Sequence, residues 1–369
     1  MRTCPIAHVP APCRHGLPNC VAAVSLRRPC SWNRTWRTNP RRYWRTRPSC
    51  ADWEGCLPPR SRPKATGALT DGAPEVSESP PRPRVSIVVL TYNRCGELRR
   101  TLRRLGTLPE GYPVLVVDNG CTDDTALTVR REFPDAVLVS AAGNLGAAGR
   151  NLGVKRVTTP YVAFCDDDTW WEAGSLEHAT KILDRHSDIA VLNARIVVGA
   201  GQREDPACEA MARSPLPSIP GVGPELAGFM AGACVMRTDA FLRAGGYWEP
   251  FFIGGEETLL ALDLMAQGGR IAYAPQLRVH HWPSSVRDSA LRRRMLARNA
   301  LWTAWLRLPA GMALSRSLSV LRGLPSWDAR TRACRDAWAH WRLIRAHRRP
   351  LGPVICGRLK AVWAADTES

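Results

Sequence analysis

No stretch of this chain reaches the roughly 18 uninterrupted apolar residues that a membrane-spanning helix needs. Pro and Arg residues near its start interrupt any apolar segment of the kind a secretory leader carries. The 13 cysteines contain no Cys-x-x-Cys pair, and no histidine cluster accompanies them, which excludes a zinc ribbon or zinc finger. No glycine-rich run ends in Gly-Lys-Ser/Thr, so a Walker-type phosphate loop is excluded as well. Negative charge is also scarce: 33 Asp and Glu stand against 51 Lys and Arg, a net of +18. A total of this sign suggests a nucleic acid or an anionic membrane surface as partner.

The charge is unevenly placed. Residues 1–84 carry a net of +10, residues 286–369 a net of +12, and residues 85–285 a net of −4. A mildly acidic core therefore lies between two basic flanks, which argues against a nucleic-acid groove at its centre. Cys121, Cys165 and Cys234 sit in apolar or turn contexts that suit reduced thiols. The expectation is a cytoplasmic protein, peripheral at most on the inner face of the plasma membrane.

Residues 1–84 show neither helical nor strand periodicity and end in Ser79-Pro80-Pro81-Arg82-Pro83-Arg84. They read as a disordered basic extension, or as a start site placed too far upstream; the next Met after Met1 is Met211. From Val85 the pattern changes. Val85–Leu90, Val114–Val117, Ala136–Val139 and Tyr161–Cys165 read as buried strands, separated by helical stretches at Gly96–Leu108, Thr122–Phe133 and Ala147–Val157. Strands alternating with helices imply an α/β domain over residues 85–285, with a mostly parallel sheet covered on both faces. Ligands of such sheets bind at the carboxyl ends of the strands. Three polar clusters fall there: Thr91/Asn93, Asp118/Asn119 and Asp166–Asp168.

Three successive carboxylates raise one another's pKa unless a cation joins them. Hard oxygens suit Mg²⁺ or Mn²⁺ escorting a diphosphate, whereas a helix cap would need only one Asp. Arg150 ends a loop of small residues, Gly143–Gly149, where backbone can approach a ligand and the guanidinium can reach phosphate or a base. Glu256-Glu257 follow Gly254-Gly255 at a helix start. They can favour the helix dipole, or act as a general base on an attacking hydroxyl. His280-His281 close an apparent strand at Leu277–Val279 and offer one further ligand, with either ring free to point inward.

In order and spacing these segments resemble the family 2 glycosyltransferases, whose fold is the GT-A type. The resemblance runs over about residues 84–300. It rests on Val85–Arg94, Val116–Asp123, Gly143–Gly153, Phe164–Asp168, Gly245-Gly246-Tyr247, Gly254–Glu257 and Val279–His281. It implies a GT-A domain with a Rossmann-like nucleotide-binding half and an acceptor half; residues 286–369 read, from their own helical spacing, as a helical C-terminal region. It further implies that Thr91, Asn93, Asp118, Arg150, Asp166 and Asp167 bind a UDP- or dTDP-linked sugar. Asp168 and His280 would hold Mn²⁺ or Mg²⁺, Gly232 and Trp170 would shape the sugar and acceptor pocket, and Glu257, with Glu256 beside it, would be the base. The family usually shows Glu-Asp where this chain has Glu256-Glu257. No Gln-x-x-Arg-Trp run of the processive synthases is present, which points to addition of one sugar to a glycan or lipid-linked acceptor in cell-envelope synthesis. One base without a second nucleophile implies inversion.

Two other readings are a catalytically degenerate nucleotide-sugar binder and a sugar nucleotidyltransferase, though Leu90–Gly96 fits the loop of the latter poorly. In the C-terminal region, Trp and Leu interleave with Arg at helical spacing. Such helices either pack on the core or lie on an anionic membrane surface.

Overall fold

The computed structural model describes residues 83–283 and 289–368, so the reading of residues 1–82 lies outside the described residues. The first half alternates as the sequence implies: β1 (Val85–Thr91), α1 (Cys95–Leu105), β2 (Val114–Asp118), α2 (Thr125–Glu132), β3 (Val137–Ser140), α3 (Arg150–Val154) and β4 (Tyr161–Asp166). Then come β5 (Thr169–Trp171), α4 (Ser175–Arg185), β6 (Ile189–Val198), β7 (Arg203–Glu204), α5 (Pro206–Ala212) and the short pair β8 (Ser218–Ile219) and β9 (Gly223–Pro224). β10 (Cys234–Arg237), α6 (Thr238–Ala244), α7 (Glu256–Ala266) and β11 (Arg270–His281) complete the sheet region. Five helices follow: α8 (Ser289–Arg307), α9 (Ala310–Arg322), α10 (Trp327–Trp338), α11 (Trp341–Ala346) and α12 (Pro353–Glu368).

The main sheet runs β3-β2-β1-β4-β10-β6-β11-β5, with β7 attached to β6. β3, β2, β1 and β4 are mutually parallel, while β10 runs antiparallel to both β4 and β6. The sheet is thus parallel in its first half and mixed beyond. Val85, Ile87, Val88 and Val89 are fully buried, as a strand covered on both faces requires, and α1 turns Leu98, Leu102 and Leu105 onto it. Register aligns the strand ends: Thr91 pairs with Asp118, and Leu90 with Asp166. The polar clusters therefore share one edge.

The C-terminal helices pack on this core. Trp302 and Leu306 of α8 and Ile344 of α11 form one apolar cluster with Phe251 and Leu259. The guanidinium of Arg307 grips Asp263 of α7 at 2.5 and 2.9 Å. Among the described residues no helix is long and apolar enough to cross a membrane.

Candidate active site at the carboxyl edge of the sheet

The aspartate run begins where β4 ends and turns directly into β5. Two arginines divide it. Arg94, just beyond β1, places Nη1 2.5 Å from Asp167 and Nη2 2.9 Å from Asp168. Arg150, buried in α3, pairs with Asp166 and lies 5.6 Å from the ring centre of Tyr247. Much of the cation that the clustered carboxylates demand is therefore supplied by the protein itself. Thr91 Oγ1 donates to Asp167 at 3.0 Å. Burial pushes the Asp167 carboxyl up to about 7, Arg94 opposing and the neighbouring aspartates reinforcing the rise. Asp166 differs from the other two, its side chain being 41% exposed.

Asp118 is buried, and its Oδ1 accepts from the Cys121 N–H at 2.8 Å. Asn93 adopts a left-handed φ of 52° and accepts from the Thr122 N–H at 2.7 Å. Both side chains thus shape the turn after β2. Asn119 extends this order to the glycine-rich loop, donating to Asn144 Oδ1 and the Gly146 carbonyl and accepting from the Leu145 N–H. The loop is tied in turn to the glutamate segment, because the Ala147 N–H donates to the Phe252 carbonyl at 2.7 Å. Gly146 is required there: its φ is +59°, and a Cβ would lie 1.9 Å from that same carbonyl oxygen.

Glu256 and Glu257 open α7 after a backbone with positive φ at Phe252, Gly254 and Gly255. Glu256 is buried, and its Oε2 meets no hydrogen-bond donor among the described residues. Burial raises both carboxyls above the ordinary range; the charge of Glu256 adds to the rise at Glu257, and Arg150 opposes it. Arg150 is itself caught between pulls. Burial lowers its pKa, but Asp166, Tyr247, Glu257 and Glu256 together hold it above the usual value. This one guanidinium therefore pairs with Asp166 and lies within the field of both glutamates.

Gly232 abuts the aspartate run, since a Cβ on it would stand 2.7 Å from Asp166 Oδ2. Trp170 and His280 are placed differently. They sit opposite one another across β5 and β11, their rings stacked at 5.6 Å, and His280 Nε2 lies 3.2 Å from Glu172. Side chains alternate along a strand, so His281 is turned the other way, with Nε2 3.8 Å from Asp168 Oδ1. The ring brought beside Asp168 is that of His281, not His280, and Trp170 goes with His280 rather than with Gly232. The 3.8 Å gap is too wide for a hydrogen bond; one hard cation with ligands at about 2.1 Å could join both groups. Among the described residues no set of three or more His, Cys, Asp or Glu side chains is arranged to hold an ion unaided.

Sequence reasoning gave no role to Arg94, although it stands in the motif Val85–Arg94. Asn299 and Arg298 of α8 had no signal of any kind. Asn299 is fully buried, and its amide nitrogen reaches the carbonyls of Phe251, Ile253 and Gly254 at 3.0, 3.2 and 2.6 Å. Arg298 donates to the Pro250 and Phe251 carbonyls.

Strand-end carboxylates, a glycine-rich loop with a buried arginine and a glutamate pair at a helix start gather at the carboxyl edge of this α/β sheet, where such sheets bind their ligands. Residues 86–244 match the family model described as Glycosyl transferase family 2. An uncharacterized glycosyltransferase of Mycobacterium tuberculosis is 38% identical over 95 residues, covering 26% of this chain and 43% of the relative. The validoxylamine A glucosyltransferase of Streptomyces hygroscopicus subsp. limoneus is 32% identical over 45% of this chain and 35% of its own length. The chain spans less than half the length of these curated relatives. Among solved structures, S. aureus TarS 1–349 in complex with UDP-GlcNAc aligns at 16% identity over 71% of this chain and 90% of that chain, with a TM-score of 0.48. The mannosyltransferase PcManGT of Pyrobaculum calidifontis, in complex with GDP-Man and Mn²⁺, aligns at 19% identity over 77% and 86%, with a TM-score of 0.46.

Proposed function

We propose that this chain transfers a single sugar from a nucleoside-diphosphate sugar, UDP- or dTDP-linked, to an acceptor hydroxyl with inversion at the anomeric carbon. The observation that carries the reading is the joining of two edges: Arg150 pairs with the strand-end Asp166, and the loop before it is tied to the segment that opens into Glu256 and Glu257 by the Ala147 N–H on the Phe252 carbonyl. Thr91, Asn93 and Asp118 line the nucleotide side, and Arg150, Asp166 and Asp167 the ribose and diphosphate side. Asp168 and His281 are the donors for Mn²⁺ or Mg²⁺, which when bound would neutralise charge on the departing diphosphate. Glu257, its carboxyl raised toward neutrality, takes the proton of the acceptor hydroxyl as that oxygen attacks the anomeric carbon. The nucleoside diphosphate departs from the opposite face, and with no second nucleophile the configuration inverts.

One observation favours a second reading. Arg94 already neutralises Asp167 and Asp168, which suits a nucleotide-sugar binder that has lost catalysis. A panel of UDP- and dTDP-sugars, each scored for thermal stabilisation with and without Mn²⁺ and for release of nucleoside diphosphate, separates the two. Stabilisation with turnover supports the transferase; stabilisation without it supports the binder; neither overturns both. A place on the inner face of the plasma membrane, in cell-envelope synthesis, belongs to the same proposal. Its support is the exposure of Trp327 and Trp338 among the arginines of α10.

A further inference from the structure

A cavity of about 1030 Å³ opens between the sheet region and the C-terminal helices. Its walls come from distant parts of the sequence: Met211 of α5, Phe229 and Met230 of the segment leading to Gly232, Leu262 of α7, Leu296 of α8 and Trp363 of α12. The volume lies at the upper end of small-molecule sites, which run from about 300 to 1,000 Å³. The charged residues among its lining are already engaged: Arg213 pairs with Glu209, and Arg316 lies 5.0 Å from the ring centre of Trp363. Met230 and Leu296 remain 38% and 40% exposed, so apolar surface is left facing the space.

The position of the cavity matters as much as its lining. Gly255 and Thr258 contribute to the wall, and they bracket Glu256 and Glu257 in sequence. Phe229 and Met230 precede Gly232, which abuts the Asp166 carboxylate. The cavity wall is thus continuous along the chain with the glutamate pair and with Gly232. A glycan there would bury hydroxyls against side chains with few partners for them, at a cost that an apolar group avoids.

We infer that this cavity receives the apolar portion of an amphipathic acceptor, whose hydroxyl-bearing head reaches Glu257 while its hydrocarbon lies among Phe229, Leu262 and Leu296. The role of the head rests on the transferase proposed above; occupation of the cavity does not. Of the acceptor classes open from sequence, glycan or lipid-linked, the lining selects the second.

The test is calorimetric binding of methyl, butyl and octyl glucosides below micelle formation, to the full chain and to Ala300→Trp, which fills the cavity from α8. Each methylene buried strengthens binding by roughly two- to fourfold, so octyl should bind at least about tenfold more tightly than butyl. Ala300→Trp should abolish that increment at an unchanged thermal midpoint. Met230→Gln replaces a side chain already partly exposed, and should weaken octyl binding several-fold should Ala300→Trp prove unstable. Equal affinities for butyl and octyl, or an increment that survives both substitutions, overturn the inference. Binding is read without turnover, so failure here is distinct from failure to release nucleoside diphosphate, which counts against the transferase reading.

Discussion

Arg94 and Arg150 divide the aspartate run between them, Arg94 pairing with Asp167 and Asp168 and Arg150 with Asp166. The Arg94 pair is the more buried on its acidic side, where Asp167 and Asp168 have side chains only 5% and 3% exposed. Arg94→Ala leaves two buried carboxylates without their cation. The expected cost is about 3 kcal/mol, the lower end for broken buried pairs because Arg94 is itself partly exposed. Asp167 also gives stability a pH dependence with a definite sign. Its carboxyl is raised to about 7 in the fold, while an unfolded Asp titrates near about 4. Between those values the folded state holds the extra proton, so this group lowers stability as pH rises through the window and adds no slope outside it. Denaturant unfolding at a series of pH values should show Asp167→Asn flattening that slope and Arg94→Ala, which removes the cation that holds the carboxyl down, extending it to higher pH. A slope unchanged in both variants contradicts the assignment. None of this could be read from spacing alone: three adjacent Asp signalled a need for positive charge, but which charges meet it depends on the turn from β4 into β5.

The segment from Pro250 to Glu257 is clamped from two sides. The glycine-rich loop holds the Phe252 carbonyl through the Ala147 N–H, and α8 holds the carbonyls around it through Asn299 and Arg298. That clamp sustains a backbone with positive φ at three of its residues and so fixes where α7 begins. Asn299→Leu removes the amide donor while keeping bulk. The expected result is a loss of about 1–3 kcal/mol of stability and a fall in kcat of at least tenfold, with the donor KM changed less than threefold. An equal rise in KM with kcat preserved would mean that α8 supports the donor site instead. The parallel half of the sheet was legible because β1, β2, β3 and β4 are short apolar runs, β-branched in the first three, that end in polar residues and are separated by helices. Of the mixed half only the end of β11, at Leu277–Val279, was. β6, β10 and β11 come from segments without regular alternation, and the orientation of His280 and His281 follows from the pairing of β11 with β5, which no local pattern announces.

At the scale of the whole molecule, the basic C-terminal region is part of the structure that surrounds the site. Its helices bury Phe251 and Leu259, tie down Asp263 and close one side of the large cavity. Ending the chain before α8 should therefore expose that cluster, lower the thermal midpoint by more than ten degrees or cause aggregation, and abolish turnover; a truncated chain as stable as the full one contradicts this packing. The sequence left open whether these helices pack on the core or face a membrane. α8 and α11 pack on it, while α10 keeps Trp327 and Trp338 at the surface. The claim on which the rest depends is that the aspartate edge and the glutamate pair act on one bound nucleotide sugar. Its most direct test is the rate of nucleoside diphosphate release from the donor that stabilises the protein best, with Mn²⁺, in wild type, Asp168→Asn and Glu257→Gln. The account predicts turnover in the wild type and a loss of at least a hundredfold in each variant, with the donor still bound by Glu257→Gln. Full turnover in both variants would contradict it.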